Sequence, residues 1–351
     1  MTAPLRLRLD TAALVANWRA LDRLSGAAAC GAAVKADGYG LGANEVVERL
    51  AGAGCRDFFV ATWAEAEVLA GLGVEISVLH GVRAEDMAAA RSGIARPVLN
   101  SAAQIARWRD AGGGRCDVMV DTGMNRLGVS AEQVQQGLLD GLTIDTLMSH
   151  LACADEDSPA NARQRDALLA LRGHTGARRL SLANSAGIAL GPNYAFDLTR
   201  PGLALYGGVP RGELAGIVRQ VVTPEAQVLQ RRRVPAGDSI GYNARYTATA
   251  PVEVAILNIG YADGYLRGFS NRGSARVGDA VLPVLGRVSM DLTAISVEAA
   301  PTLGEGDWVS LDFALPEASA RSGVSQYELL TGLGARAARI WYITAARAGH
   351  G

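Results

Sequence analysis

The sequence predicts an α/β protein: an N-terminal (β/α)8 barrel followed by a smaller, mainly β domain. Three observations predict it. From Cys30 to about Pro201, short β-rich runs alternate with amphipathic helical stretches, the pattern of parallel strands joined by crossover helices. About eight such units over roughly 200 residues fit a closed barrel better than an open sheet, which more often has about five or six strands. After Tyr206-Gly207-Gly208 the helical periodicity stops, and turn signals recur at Gly237-Asp238, Gly278-Asp279 and Gly306-Asp307 between Val/Ile/Thr-rich runs.

In chain order, Leu5–Leu9 reads as an extra strand contributed to the β domain. The barrel strands are placed at Cys30–Lys35, Asp57–Thr62, Ile76–His80, Arg96–Asn100, Cys116–Thr122, Ile144–His150, Arg179–Asn184 and Phe196–Arg200. Helical stretches lie between them at Ala43–Ala53, Trp63–Leu72, Ser101–Ala111 and Ala131–Leu139. The β domain starts near 213–220 and ends with a helical stretch, Gln326–Ala335, and a strand, Ile340–Ala345. The division is residues 10–212 for the barrel and 213–351 for the β domain, with residues 1–9 joining the latter.

Composition narrows the function. A formal net charge of -1 leaves no basic face, which argues against nucleic acid and anionic membrane as partners. The four cysteines, Cys30, Cys55, Cys116 and Cys153, lack metal-ligand spacing and read as buried small apolar groups. No apolar run approaches membrane-spanning length, and MTAPLRLRLD lacks the apolar core of a secretory signal. The expectation is a cytoplasmic protein without a metal.

Lys35 is the only lysine among 34 basic residues. Arginine replaces lysine in most surface ion pairs, but a guanidinium stays charged and cannot form an imine with a carbonyl. A desolvated lysine can. Lys35 ends the apolar run Ala32-Ala33-Val34 and precedes a Gly-rich turn, which is not how a solvated lysine usually sits. Chemistry-bearing residues also recur at the predicted strand ends, where barrel enzymes keep their sites: Lys35 after the first strand, Arg126 after the fifth, His150 ending the sixth, Asn184 and Ser185 after the seventh, Arg200 ending the eighth. Ser185 alone would be an ordinary helix N-cap. Beside Gly202 and Leu203, after strands seven and eight, it fits a phosphate cradle.

The segment VKADGYG resembles the pyridoxal-phosphate signature of bacterial alanine racemases. At least five motifs over essentially the whole chain share the likeness. It implies that Lys35 carries pyridoxal 5'-phosphate and that Tyr39 helps hold its phosphate, with His150, Asn184, Ser185, Arg200, Gly202 and Leu203 completing the cofactor site. Arg200, in DLTRPG, matches the arginine that contacts the pyridine nitrogen. A guanidinium does not readily hand over a proton, so the ring is a weaker electron sink and simple proton exchange is favoured over transamination. Tyr261, in NIGYADGY, matches the second catalytic base. Racemisation removes a proton from one face of Cα and returns it to the other, which calls for two opposed groups. The resemblance implies that Lys35 serves the D-enantiomer and Tyr261 the L-enantiomer, in a two-base mechanism on a pyridoxal-phosphate aldimine. A phenol holds its proton at neutral pH; the resemblance implies that His150 and Arg200 form the polar chain behind it. Arg126, in VDTGMNRLG, matches the arginine that orients the substrate carboxylate. Met290 and Asp291, in GRVSMD, match the segment closing the pocket from the partner subunit of a head-to-tail homodimer. Tyr265, four residues past Tyr261, matches no catalytic position.

Two departures stand out. Many relatives carry a carbamylated lysine shortly before the DTGM segment, where this chain has Met119. Ala335, before Arg336, stands where some relatives narrow the pocket with a tyrosine. The resemblance implies an alanine racemase, supplying D-alanine for peptidoglycan or catabolising it. The alternatives are a racemase of serine or broader range, a non-catalytic pyridoxal-phosphate-binding protein, and a decarboxylase, for which Arg200 is the wrong partner.

Overall fold

The computed structural model describes residues 3–343. Two compact units form: one from residues 14–205 and 209–219, the other from the described parts of residues 1–13, 206–208 and 220–351. Among the described residues no helix is long and apolar enough to cross a membrane.

The first unit is a parallel barrel. Its strands are the split segment Ala29–Cys30 and Ala32–Ala33, then Asp57–Val60, Glu75–Val78, Arg96–Leu99, Cys116–Asp121, Ile144–Met148, Arg179–Ser181 and Leu198–Thr199. Successive strands pair in order, and the last returns to the first: Leu198 pairs with Ala29, while Ala32 pairs with Phe58. Gly31 is the seam. Its N–H donates to the Thr199 carbonyl at 2.9 Å, and a β-carbon there would lie 2.7 Å from the Asp57 carbonyl oxygen. Glycine is what lets the two edges meet.

The helices start where the sequence supplies caps. Thr62, Ser101, Ser130, Ser158 and Asn184 each accept a first-turn backbone N–H, worth roughly 1 kcal/mol apiece. Helix Ala43–Ala53 has the predicted bounds and buries Val46, Val47 and Leu50. Others are shorter. Trp63–Leu69 passes into a 3-10 turn, Ala70–Leu72, that Gly73 ends at φ 64°. Ala131–Gln135 stops before Gly137 at φ 84°. The helix Thr11–Ser25 is absent from the sequence reading. Asp10 caps it by accepting the Ala13 N–H at 3.0 Å, and its buried Asn17 bonds the Leu205 and Arg219 carbonyls.

Several strands end earlier than predicted. The first stops at Ala33, the seventh at Ser181 and the eighth at Thr199. The regular strands end there, although the Val34 and Arg200 N–H groups still bond the Phe59 and Ala183 carbonyls at 2.8 Å. Lys35 opens a short helix-like segment, Asn184 caps a helix and Arg200 follows the last strand.

The opposite, N-terminal end of the barrel is closed by charge. Asp57, Glu75, Arg96, Asp117, Asp145 and Arg179 all sit at the first or second position of their strands. Arg179 reaches Asp57 at 2.8 Å and Asp145 at 2.6 Å; Arg115 and Arg178 reach Asp145 at 2.8 and 3.0 Å. Arg96 bonds Glu75 and faces Asp117 at 3.6 Å and Asp145 at 3.8 Å. Burial raises the Asp145 pKa, but Arg115, Arg179 and Arg96 outweigh it and bring it down to about 2.

The second unit is built on the long strand Val222–Val234. Leu5–Asp10 and Trp308–Leu311 pair with its first half, and Val252–Leu257 with its second, across a bulge between Val228 and Gln230. Leu5–Asp10 also pairs in parallel with Ala338–Tyr342, burying Leu5, Leu7 and Leu9 on alternate positions. The predicted last strand thus begins two residues early, and its Thr344 and Ala345 lie outside the described residues. Gly278-Asp279 is a two-residue hairpin loop, with Val277 opposite Ala280. The predicted helical stretch Gln326–Ala335 is the shorter helix Gln326–Thr331, which ends before Gly332, and a helix the sequence reading lacked, Leu315–Ser322, precedes it.

Candidate active site

Lys35 is half-buried just past the first barrel strand. The segment it opens, Lys35–Tyr39, has helix-like hydrogen bonds but winds left-handed: Ala36, Asp37 and Gly38 take φ of 53, 52 and 61°, and Tyr39 takes 55°. Left-handed backbone costs a non-glycine residue roughly 1–2 kcal/mol, so surrounding groups must hold the run. Asp37 Oδ1 accepts the Ala43 N–H at 2.9 Å, and Glu65 Oε1 accepts the Ala36 N–H at 2.6 Å.

The amine is placed among cations. Burial lowers the Lys35 pKa, Arg126 lowers it further, and Glu65 opposes both. His150 is driven down to about 3 by burial and by the charges of Arg200, Arg126 and Lys35; its imidazole is therefore neutral at physiological pH. Arg200 is buried, its pKa brought down to about 10 by burial against the pull of Asp117. Its guanidinium donates to the Ser149 carbonyl at 2.6 Å and to the Ser181 hydroxyl, and lies 5.9 Å from the Phe59 ring centre.

Ser185 opens a short helix capped by Asn184, whose Oδ1 accepts the Gly187 N–H at 2.8 Å. The Ser185 hydroxyl gathers the N–H groups of Gly202 and Ala204 at 2.9 and 3.1 Å. Tyr39 closes the group, since a β-carbon on Gly202 would collide with its hydroxyl. Leu203 is buried and begins the 3-10 turn Leu203–Tyr206. A hydroxyl, a phenol and adjacent backbone N–H groups beside a glycine that leaves no room for a side chain suit a phosphate. A desolvated primary amine on the same barrel end suits an aldehyde. Together these residues fit a phosphorylated aldehyde cofactor.

Arg126 is exposed on the loop after the fifth strand. Asp121 shapes that loop: its Oδ1 accepts the N–H groups of Gly123, Met124 and Asn125 at 2.8, 2.9 and 3.1 Å. Among the described residues no side chain bonds the Arg126 guanidinium. Met119 lies buried in the fifth strand opposite Met148, where its thioether offers no ionic support.

The other predicted residues lie in the second unit. Tyr261 begins a 3-10 turn whose N–H groups run to the Ser289–Met290 backbone: Tyr261 to the Ser289 carbonyl and Ala262 to that of Met290, both at 3.0 Å. Gly260 permits this, since a β-carbon there would meet the Met290 carbonyl. Buried Asp263 accepts the Gly260 N–H at 3.0 Å and Arg336 Nε at 2.8 Å, while Arg336 also donates to Asp291 at 2.7 Å. Tyr261, Met290 and Asp291 are thus brought together on one face of this unit, with Arg267 over the Tyr261 ring at 4.7 Å. Tyr265 is a core residue, buried and stacked on Phe269 at 4.4 Å.

Sequence reasoning missed Glu65, Asp121, Asp263 and Arg336, which hold the loops carrying the predicted residues. Glu65 had a local signal, the Thr62-Trp63-Ala64-Glu65 capping box. So had Asp121 and Asp263, whose carboxylates bond N–H groups within four residues; Arg336 had none.

The family model for the N-terminal domain of alanine racemase matches residues 9–210, and that for its C-terminal domain matches residues 221–341. An alanine racemase of Acidiphilium cryptum is 41% identical over 349 residues, covering 95% of this chain and 98% of the relative. One from a Jannaschia species is 45% identical over 338 residues, covering 94% and 96%. The crystal structure of alanine racemase from Bartonella henselae with covalently bound pyridoxal phosphate superposes with a TM-score of 0.89 at 34% identity, over 96% of this chain and 99% of that one. The chain belongs to the alanine racemase family.

Proposed function

We propose that the protein interconverts L- and D-alanine with pyridoxal 5'-phosphate carried on Lys35. The observation that carries this reading is a lone lysine whose pKa is lowered by burial and Arg126, on the same barrel end as the Tyr39–Ser185–Gly202 cluster. When bound, the cofactor acidifies the Cα–H of an attached amino acid. The chain's own residues do the rest. Tyr39, Asn184, Ser185, Gly202 and Leu203 would anchor the phosphate, and Arg126 would clamp the substrate carboxylate with a planar fork. Lys35 would exchange a proton on one face of Cα and Tyr261, from the partner subunit of a head-to-tail homodimer, on the other. Arg200 would face the ring nitrogen, and neutral His150 would link it towards Tyr261. Met290 and Asp291 would bound the pocket. Cytoplasmic D-alanine supply for peptidoglycan is the role this activity suits.

Exposed Ala335, beside Arg336, favours a second reading in which longer amino acids such as serine are also accepted. A panel of L-amino acids followed by chiral chromatography separates the two. Alanine alone turning over supports the narrow reading, equal rates with serine the broad one, and no racemisation of any amino acid refutes both. Borohydride reduction should fix the cofactor to the Lys35 peptide; a labelled peptide elsewhere would remove Lys35 from its role.

A further inference from the structure

We propose that Glu65 is a positioning residue for Lys35, its carboxylate holding the left-handed run that begins at Ala36. The inference rests on the reading of Lys35 as the cofactor-bearing amine. In an ordinary capping box the third-position carboxylate accepts one N–H, that of the cap residue. Glu65 does more. Its Oε2 takes the N–H groups of Thr62 at 3.0 Å and Ala61 at 2.7 Å, leaving Oε1 for the Ala36 N–H at 2.6 Å. One side chain therefore ties the loop after the second strand to the residue directly following Lys35. Ionised acceptors make shorter and stronger hydrogen bonds than neutral ones, and the Ala36 bond has that length.

The clamp acts where the backbone is least able to hold itself. Ala36 and Asp37 are not glycines, yet both take positive φ. Asp37 secures the far end of the run on Ala43, and Glu65 secures the end that carries the amine. The carboxylate also acts through charge. The groups facing Lys35 are Glu65 from the helix after the second strand, Arg126 after the fifth strand and His150 after the sixth; Glu65 alone among them favours the protonated amine.

Because Lys35 is the sole lysine, its titration can be read without assignment. The full-length chain, stripped of cofactor, is pulsed with acetic anhydride across a pH series, and acetylation of the Lys35 peptide is followed by mass spectrometry. Glu65→Gln keeps the shape but removes the charge, so the midpoint should move to lower pH, and the loaded protein should lose cofactor on dilution about tenfold faster. Thr62→Ala removes the cap while leaving all three bonds to the Glu65 carboxylate; it should lower the melting temperature and leave the midpoint in place. An unchanged midpoint in Glu65→Gln, or an equal shift in Thr62→Ala, overturns the proposal. Cofactor fixed on a residue other than Lys35 would sink the functional reading instead, and leave the amine titration standing as measured.

Discussion

The two ends of the barrel use charge in opposite ways. At the N-terminal end Asp57, Glu75, Asp117 and Asp145 interlock with Arg96, Arg115, Arg178 and Arg179, so each charge has counter-charges within reach. At the C-terminal end Lys35, Arg126 and Arg200 gather around a neutral His150, and Glu65 is the acid that Lys35 feels. Same-sign charge brought together by folding has to be stabilised by something else in the protein or by a bound anion. The first end is satisfied by its own side chains and serves the fold. The second is left with an excess of positive charge, which on the proposed function a phosphate and a carboxylate would offset.

That contrast breaks most sharply at Lys35. Lys35→Arg keeps the charge but cannot form an imine, so turnover should fall by about 10²–10⁴-fold or more while the melting temperature stays near the parent value. Equal losses of stability and activity would mean that the amine is structural. The converse variant is Asp145→Asn. It takes one carboxylate from Arg179, which keeps Asp57, and from half-exposed Arg115 and exposed Arg178, which water can serve. It should cost about 1–3 kcal/mol in urea unfolding with KM for alanine unchanged. The Asp145 pKa lies at about 2 when folded, below the usual carboxylate range. Its contribution is thus present above pH ~4 and lost as pH falls through about 2, so the penalty should shrink in acid.

His150 gives an intermediate effect. Below pH ~6.5 an unfolded imidazole takes up a proton that the folded one refuses until about pH 3. Across that window the folded state loses up to ~1.4 kcal/mol per pH unit. His150→Asn should flatten this part of the stability–pH curve, and an unchanged slope would show that the folded imidazole titrates normally. The smallest effect belongs to Ser185→Ala, which removes one hydroxyl from the phosphate cluster. A hydrogen bond worth about 1 kcal/mol predicts a cofactor dissociation constant raised by roughly fivefold, read by fluorescence titration.

Much of this was legible in the chain itself. The strand–helix alternation, the solitary lysine and the spacing of Arg126, His150, Ser185 and Arg200 are local signals, and local signals survive in one dimension. What escaped depends on distant partners. The helix Thr11–Ser25 escaped although its Asp10 cap is local, because what seats it, buried Asn17 on the Leu205 and Arg219 carbonyls, lies far along the chain. The strand before it, Leu5–Leu9, was legible, but its partner Val222–Val234 was not. The left-handed run escaped because Ala36 and Asp37 give no sign of it; their conformation is imposed by Glu65 and Asp37 reaching across a loop. The Tyr261 turn likewise depends on Arg336, which is far off in sequence and near in space.

The Gly31 seam has a consequence for how the chain must be made. Leu198 and Thr199 pair with Ala29 and Cys30, so the circuit cannot be completed until nearly all of the barrel has emerged from the ribosome. Until then the nascent sheet has two bare edges, at Ala29–Cys30 and at whichever strand was last synthesised, and bare edges recruit other chains. Fragments that stop short of Leu198 should therefore aggregate, however well their earlier strands pair.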